Sequence, residues 1–151
     1  MVEVGQEAPD FTLVNQHGEP VTLSSFRGSK NVVLLFYPYA FSGTCTGELC
    51  TIRDRLPAFD NDDTVTLAVS IDHKFALRAF ADRDGYTFRL LADFLPRGAV
   101  AQAYGVYDES KGAALRGTFI IDKAGIVRWS VLHGMGEARD ADEYEKVLAT
   151  L

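Results

Sequence analysis

The chain has few reactive or rare residues: 2 cysteines, 1 tryptophan, 2 methionines and 3 histidines in 151 positions. So few cysteines cannot form the disulfide framework on which small secreted domains depend. None is needed, because 151 residues suffice for one domain with a core of its own. A basic excess is also missing. Lys and Arg number 15 against 21 Asp and Glu, for a formal net charge of −6. A nucleic-acid or anionic-membrane surface needs a basic face, so neither partner is expected.

Long hydrophobic runs are absent too. The longest aliphatic–aromatic run, Val32 to Tyr37, is far shorter than the ~20 residues of a spanning helix. The start, MVEVGQEAPDF, carries acids early and has no apolar run behind a basic beginning, so no signal peptide is read there. A cytoplasmic protein is the expectation, and in that compartment a cysteine pair is more often catalytic or metal-binding than structural. There is no internal repeat, low-complexity segment or linker, so residues 1–151 are read as a single domain. No Gly-x-Gly-x-x-Gly fingerprint for a dinucleotide is present. Cys-x-x-Cys, the signature of a thioredoxin-type disulfide reductase, is missing as well.

What is present alternates between strands and helices. In DFTLVNQHGEPVTL, Phe11–Leu13 and Val21–Leu23 flank a polar loop with Asn15 and Gly18, the pattern of a hairpin. Asn31–Tyr37 and Thr64–Ile71 are near-continuous apolar runs, as in strands covered on both faces. Thr118–Asp122 and Ile126–Leu132, joined by KAG, read as a second hairpin. From Cys45, the positions Leu49, Ile52, Leu56 and Phe59 make one helical stripe, which Pro57 should kink or end. Lys74–Gly85 predicts a helix with Phe75, Ala79, Ala76 and Phe80 on its stripe, stopped by Gly85. Gly98–Gly105 predicts a short helix, and Asp140 three before Glu143 a capping box for a last one. Together they imply an α/β sandwich with a mixed central sheet.

Both cysteines fall in FYPYAFSGTCTGELC, at positions 45 and 50. Cys45 is placed in the first turn of a helix that follows a buried strand. Unpaired backbone N–H groups and the helix dipole favour an anion there, which lowers a thiol pKa. Ser42 offers a hydroxyl three residues earlier. Pro38 has fixed φ and no N–H, so it can wall a pocket without competing for a ligand. From these residues alone Cys45 is either a reactive thiol or a packed one, and packing weighs more heavily for Cys50. A zinc site is a rival, but His17, His73 and His133 are scattered and none sits at ligand spacing.

Pro38-x-x-x-Ser42-x-x-Cys45 resembles the peroxiredoxin signature of proline, threonine or serine, and peroxidatic cysteine. APDFTL, RGSKNVVLLFYP, QAYGV and LRGTFIID are similar to peroxiredoxin blocks and follow in the same order. GELCTIRDRLPAFDNDD and DFLPRGAVAQAYGV look most like the alkyl hydroperoxide reductase E group. The resemblance implies a thioredoxin-like fold with an N-terminal β-hairpin and a mixed central sheet flanked by helices. It also implies a thiol peroxidase acting on hydrogen peroxide and organic hydroperoxides, with peroxynitrite a further candidate.

Carried over residue by residue, Cys45 is the nucleophile, Ser42 bonds the peroxide and the thiolate, and Pro38 shields both. Arg116, in RGTFIID, matches the family's distant arginine, whose guanidinium stabilises charge moving from sulfur to the leaving oxygen. Glu48, about 60° around the helix from Cys45, is expected to pair with an arginine, Arg116 or Arg139. Its alternative is a solvated surface acid.

Two positions depart from the family pattern. Serine stands at 42 where threonine is commoner. The reductase E group is described as one-cysteine, whereas Cys50 matches the resolving position of Q-type, bacterioferritin-comigratory-like members. In an intact helix, residues five apart lie roughly 8.7 Å from each other, beyond the about 7 Å limit of a disulfide. Resolution by Cys50 therefore needs local unwinding, which Gly47 eases. The alternatives are a one-cysteine peroxidase recycled by an external thiol and a non-enzymatic redox sensor or holdase.

No cofactor or metal is implied, because sulfur carries the two-electron chemistry. The implied partners are a peroxide and a thioredoxin-, mycoredoxin- or small-thiol-type reductant. A homodimer is also implied, with Tyr37, Tyr39 and Phe41 as candidates for its face. The apolar stretches YPYAF and DFLPRGAV suggest walls that admit organic hydroperoxides.

Overall fold

A computed structural model describes residues 1–133 and 140–151, with the side chains of all of these except 44–46. Its centre is a strand buried at every position, β3 (Asn31–Phe36). On one side β3 runs parallel to β4 (Thr64–Ser70), in register from Asn31↔Thr64 to Phe36↔Val69. On the other it runs antiparallel to β8 (Arg116–Ile121). Continuous apolar runs form these strands because both faces are covered and neither has to meet water.

The N-terminal hairpin is β1 (Thr12–Asn15) and β2 (Pro20–Thr22), in register Thr12↔Thr22 and Leu13↔Val21. Asn15 Oδ1 accepts from the His17 and Glu19 amides and shapes the turn, and Gly18 supplies the positive φ of 77°. A strand that the sequence pattern did not single out, β5 (Arg89–Ala92), lies between β4 and β1. After the short ribbon of β6 (Tyr107–Asp108) and β7 (Ala113–Ala114), β9 (Val127–His133) pairs with β8 as the second hairpin. The resulting seven-stranded mixed sheet has the order β2-β1-β5-β4-β3-β8-β9.

Alternation along β3 divides the core. Val32, Leu34 and Phe36 meet Phe11, Tyr104 and Phe119 on one face. Val33 and Leu35 meet the helices on the other. Those helices are α1 (Gly43–Asp54), α2 (Leu56–Phe59), α3 (Lys74–Asp84) and α5 (Ala141–Leu148). Between α3 and α5 in the chain, α4 (Ala99–Ala103) places Val100 and Ala101 on the first face.

Pro57 acts as its chemistry requires. The helix ends at Asp54 and a separate turn restarts with the proline near its N-terminus. Gly85, at φ 72°, closes α3. Asp140 caps α5, its side chain accepting from the Asp142 amide rather than from that of Glu143. The stripe expected on α3 needs correction. Leu77, Phe80 and Ala81 are buried, whereas Phe75 is 72% exposed and packs beside the His73 ring. Tyr37 also differs from expectation. It is 1% exposed and belongs to the helix-side core, so it presents no face to a partner.

Candidate active site

β3 delivers the chain into a short bend that ends at the N-terminus of α1. The Tyr37 amide still donates to Val69 O at 3.0 Å, which extends the sheet by one residue. Pro38 follows and is buried. Phe41 has φ 69°, the left-handed region, and is alone among the described non-glycine residues in this. Such a conformation costs an L-residue about 1–2 kcal/mol and persists only where the surroundings hold it. Its ring lies 5.0 Å from that of Phe80, beneath the Arg83 guanidinium at 4.8 Å.

Ser42 is the N-cap of α1 with extended φ/ψ of −72° and 144°, yet its side chain makes no capping bond. Its Oγ is buried and has no hydrogen-bond partner among the described residues. A buried hydroxyl in that condition is costly unless a bound species uses it. Cys45 is the third residue of α1, hence in the first turn, where unpaired N–H groups favour a thiolate. Its side chain lies outside the described ones.

Glu48 and Arg116 meet from opposite elements. Arg116, the first residue of β8, is 3% exposed and donates from Nη1 to Glu48 Oε2 at 3.2 Å. The alternative of a solvated surface acid at Glu48 is overturned, since Glu48 is 8% exposed. Arg139, the other partner expected for Glu48, lies outside the described residues. The guanidinium is thus anchored to the helix that carries Cys45, one turn beyond it.

Cys50 is half-buried on α1, and its Sγ lies 3.3 Å from the Tyr86 hydroxyl. Burial, then the Cys50 contact, pushes the Tyr86 phenol above its ordinary range. The Tyr86 ring packs between Phe80 and Phe88 at 5.1 and 5.3 Å. Because α1 runs unbroken from Gly43 to Asp54, positions 45 and 50 are held apart in this conformation. Tyr86 was missed in the sequence, as was Asp72, which holds the Ala40 amide. Each lies more than 30 positions from its partner, and neither carries a local pattern that signals the contact.

The profile of the AhpC/TSA family matches residues 4–130. The chain belongs to that family. Alkyl hydroperoxide reductase E of Mycobacterium tuberculosis is 49% identical over 151 residues, covering 100% of this chain and 99% of the relative. The chloroplastic 2-Cys peroxiredoxin BAS1 of Spinacia oleracea is 34% identical over 158 residues, covering 98% of this chain and 59% of the relative. Among solved structures, peroxidoxin BcpB from Mycobacterium tuberculosis superimposes with a TM-score of 0.88 at 29% identity, covering 100% of this chain and 99% of the other. Enterococcus faecalis AhpC gives 0.88 at 27% identity, covering 99% and 92%. The chain is therefore a peroxiredoxin, a thiol peroxidase of the oxidoreductase class, with a thioredoxin-like fold.

Proposed function

We propose that this peroxiredoxin reduces hydrogen peroxide and organic hydroperoxides at Cys45, and that peroxynitrite is a further substrate. The Cys45 thiolate attacks one peroxide oxygen, the O–O bond breaks, and the sulfur becomes a sulfenic acid. The other oxygen leaves as water or an alcohol after taking a proton, and from peroxynitrous acid as nitrite. Ser42 orients the peroxide through its hydroxyl and Pro38 excludes water. Arg116 stabilises the negative charge as it passes from sulfur to the leaving oxygen. Glu48 positions Arg116. The observation that supports this reading best is the buried Arg116–Glu48 pair one turn from Cys45 on α1; the buried Ser42 hydroxyl at the start of the same helix, without a hydrogen-bond partner among the described residues, adds to it.

In this reading Cys50 resolves the intermediate. Its thiol attacks the sulfenic sulfur, a disulfide forms and water leaves. A thioredoxin-type dithiol then reduces the disulfide. The step requires α1 to open and Cys50 to leave Tyr86, and Gly47, exposed and with no atom within 4 Å of an added Cβ, offers little resistance. A second reading is favoured by the intact helix and the Cys50–Tyr86 contact. Here Cys50 stays in place, and a mycoredoxin- or small-thiol-type reductant takes the sulfenic acid directly. A homodimer is proposed through Tyr39 and Phe41, which are 38% and 44% exposed. A cytoplasmic location is proposed in keeping with the reducing partners. Among the described residues no helix is long and apolar enough to cross a membrane.

Intact-mass spectrometry after one equivalent of hydrogen peroxide, on the wild type and Cys50→Ala, tests this. A prompt loss of two hydrogens in the wild type only supports resolution by Cys50. A gain of one oxygen in both proteins supports the one-cysteine route. Unmodified wild type would refute the proposed chemistry.

A further inference from the structure

The bend between β3 and α1 has a backbone anchor outside the residues assigned to the chemistry. The Ala40 amide donates to Asp72 Oδ2 at 2.8 Å, and Ser70 Oγ donates to the same oxygen at 2.7 Å. The Asp72 amide in turn donates to Ser70 Oγ at 3.3 Å, so hydroxyl and carboxylate fix each other. Ser70 ends β4, which runs parallel to β3 with Phe36 opposite Val69. The two strands therefore release their chains side by side, which brings Asp72 beneath the bend. Two residues beyond Ala40, the backbone has passed through the left-handed Phe41 and reached the N-cap Ser42. A strained residue holds its conformation only if both sides of it are fixed. On the far side α1 begins; on the near side the Asp72 carboxylate holds the amide.

We propose that Asp72 is a positioning residue for peroxide reduction: by fixing the Ala40 amide it sets the Phe41 bend, and so the direction of the Ser42 hydroxyl and the placement of Pro38. The inference rests on the reading of Cys45 as the attacking thiol. It assigns Asp72 no contact with peroxide or sulfur. Its effect falls on how the peroxide is held, and leaves the acidity of the thiol to the first turn of α1.

Two rates on one thiol separate these effects. In a Cys50→Ala background, where Cys45 is the sole thiol, oxidation by hydrogen peroxide needs the whole pocket, whereas alkylation by iodoacetamide needs only an accessible thiolate. Asp72→Ala is expected to slow peroxide oxidation at least about tenfold while alkylation stays within about twofold, because misplacing a positioning group penalises the oriented reaction alone. Asp72→Asn keeps an oxygen acceptor for the Ala40 amide and is expected to recover most of the rate. An unchanged oxidation rate in Asp72→Ala would overturn the proposal, and so would an equal fall in both reactions. Should Asp72→Ala not fold by circular dichroism, Ser70→Ala removes the hydroxyl that orients the carboxylate and is judged by the same two rates. If the parent alkylates normally but ignores peroxide, the reading of Cys45 itself fails, and the inference with it.

Discussion

Arg116 Nη1 donates to Glu48 Oε2 at 3.2 Å, and the two side chains are only 3% and 6% exposed. The pair joins the start of β8 to the second turn of α1 across 68 positions of sequence. Removing two charges from water is expensive and is only repaid by close pairing. If Cys45 is the attacking thiol, the adjacent Arg116 guanidinium would offset the charge of a carboxylate one turn further along its helix.

Replacing Arg116 should therefore affect activity and stability differently according to the substitute. Arg116→Met leaves the Glu48 carboxylate buried without this guanidinium, which should cost about 3–5 kcal/mol of stability. Arg116→Lys keeps the charge but not the planar fork. It should lose less stability and still lower the rate of peroxide reduction by about a hundredfold, as removal of a transition-state donor does. Urea unfolding and peroxide consumption on the two variants check both halves.

Tyr86→Phe tests what holds Cys50. The hydroxyl 3.3 Å from Sγ is removed while the ring contacts with Phe80 and Phe88 remain. If Cys50 resolves Cys45, the internal disulfide should form faster in the variant, because one contact no longer has to break. Mass sampled over time after peroxide addition reads this. An equal rate would mean that release of Cys50 is not the slow event.

Asp93 should give the acid limb of stability a recognisable sign. Burial pushes its carboxyl above the ordinary 3.8, against the Ala101 and Val100 amides that it accepts from. The folded state thus holds the Asp93 proton more tightly than the unfolded chain. That contribution is complete below pH 3.8 and is lost as pH rises through the folded value. Asp93→Asn cannot ionise, so the difference in Tm, variant minus wild type, should grow more positive as pH rises from acid to neutral. Thermal melts across that range decide it, and a constant or falling difference contradicts the assignment.

Gly117, next to Arg116, is a packing constraint. An added Cβ would come 2.8 Å from Val106 Cγ1, and Val106 is fully buried. Gly117→Ala should destabilise by about 1–3 kcal/mol, as overpacking does. The urea midpoint should fall without a change in slope.

The parts of the fold that were legible in the sequence share a physical feature: a local pattern decides them. β3 and β4 show as unbroken apolar runs because both faces are buried. Pro57 and Gly85 stop helices for reasons contained in their own backbones. β5 escaped because four residues, RLLA, carry no period that tells strand from helix. On α3, the spacing puts Phe75 and Ala79 on the stripe beside Phe80, but the buried positions are Leu77, Phe80 and Ala81. In the site, the helix-start placement of Cys45 follows from the same local logic. The buried state of Arg116 and Glu48 does not, since charged residues default to the surface unless a distant partner meets them. The contacts of Asp72 and Tyr86 are invisible in the sequence because their partners lie 32 and 36 positions away.

Everything proposed for the chemistry requires that Cys45 be the thiol that meets peroxide. Competition kinetics against a haem peroxidase, with hydrogen peroxide limiting and wild type beside Cys45→Ser, tests it most directly. The wild type should capture peroxide at least about a hundredfold faster than free cysteine at the same pH, and Cys45→Ser should capture none. A wild type no faster than free cysteine, or a Cys45→Ser variant that competes equally well, would rule out Cys45 as the thiol that meets peroxide.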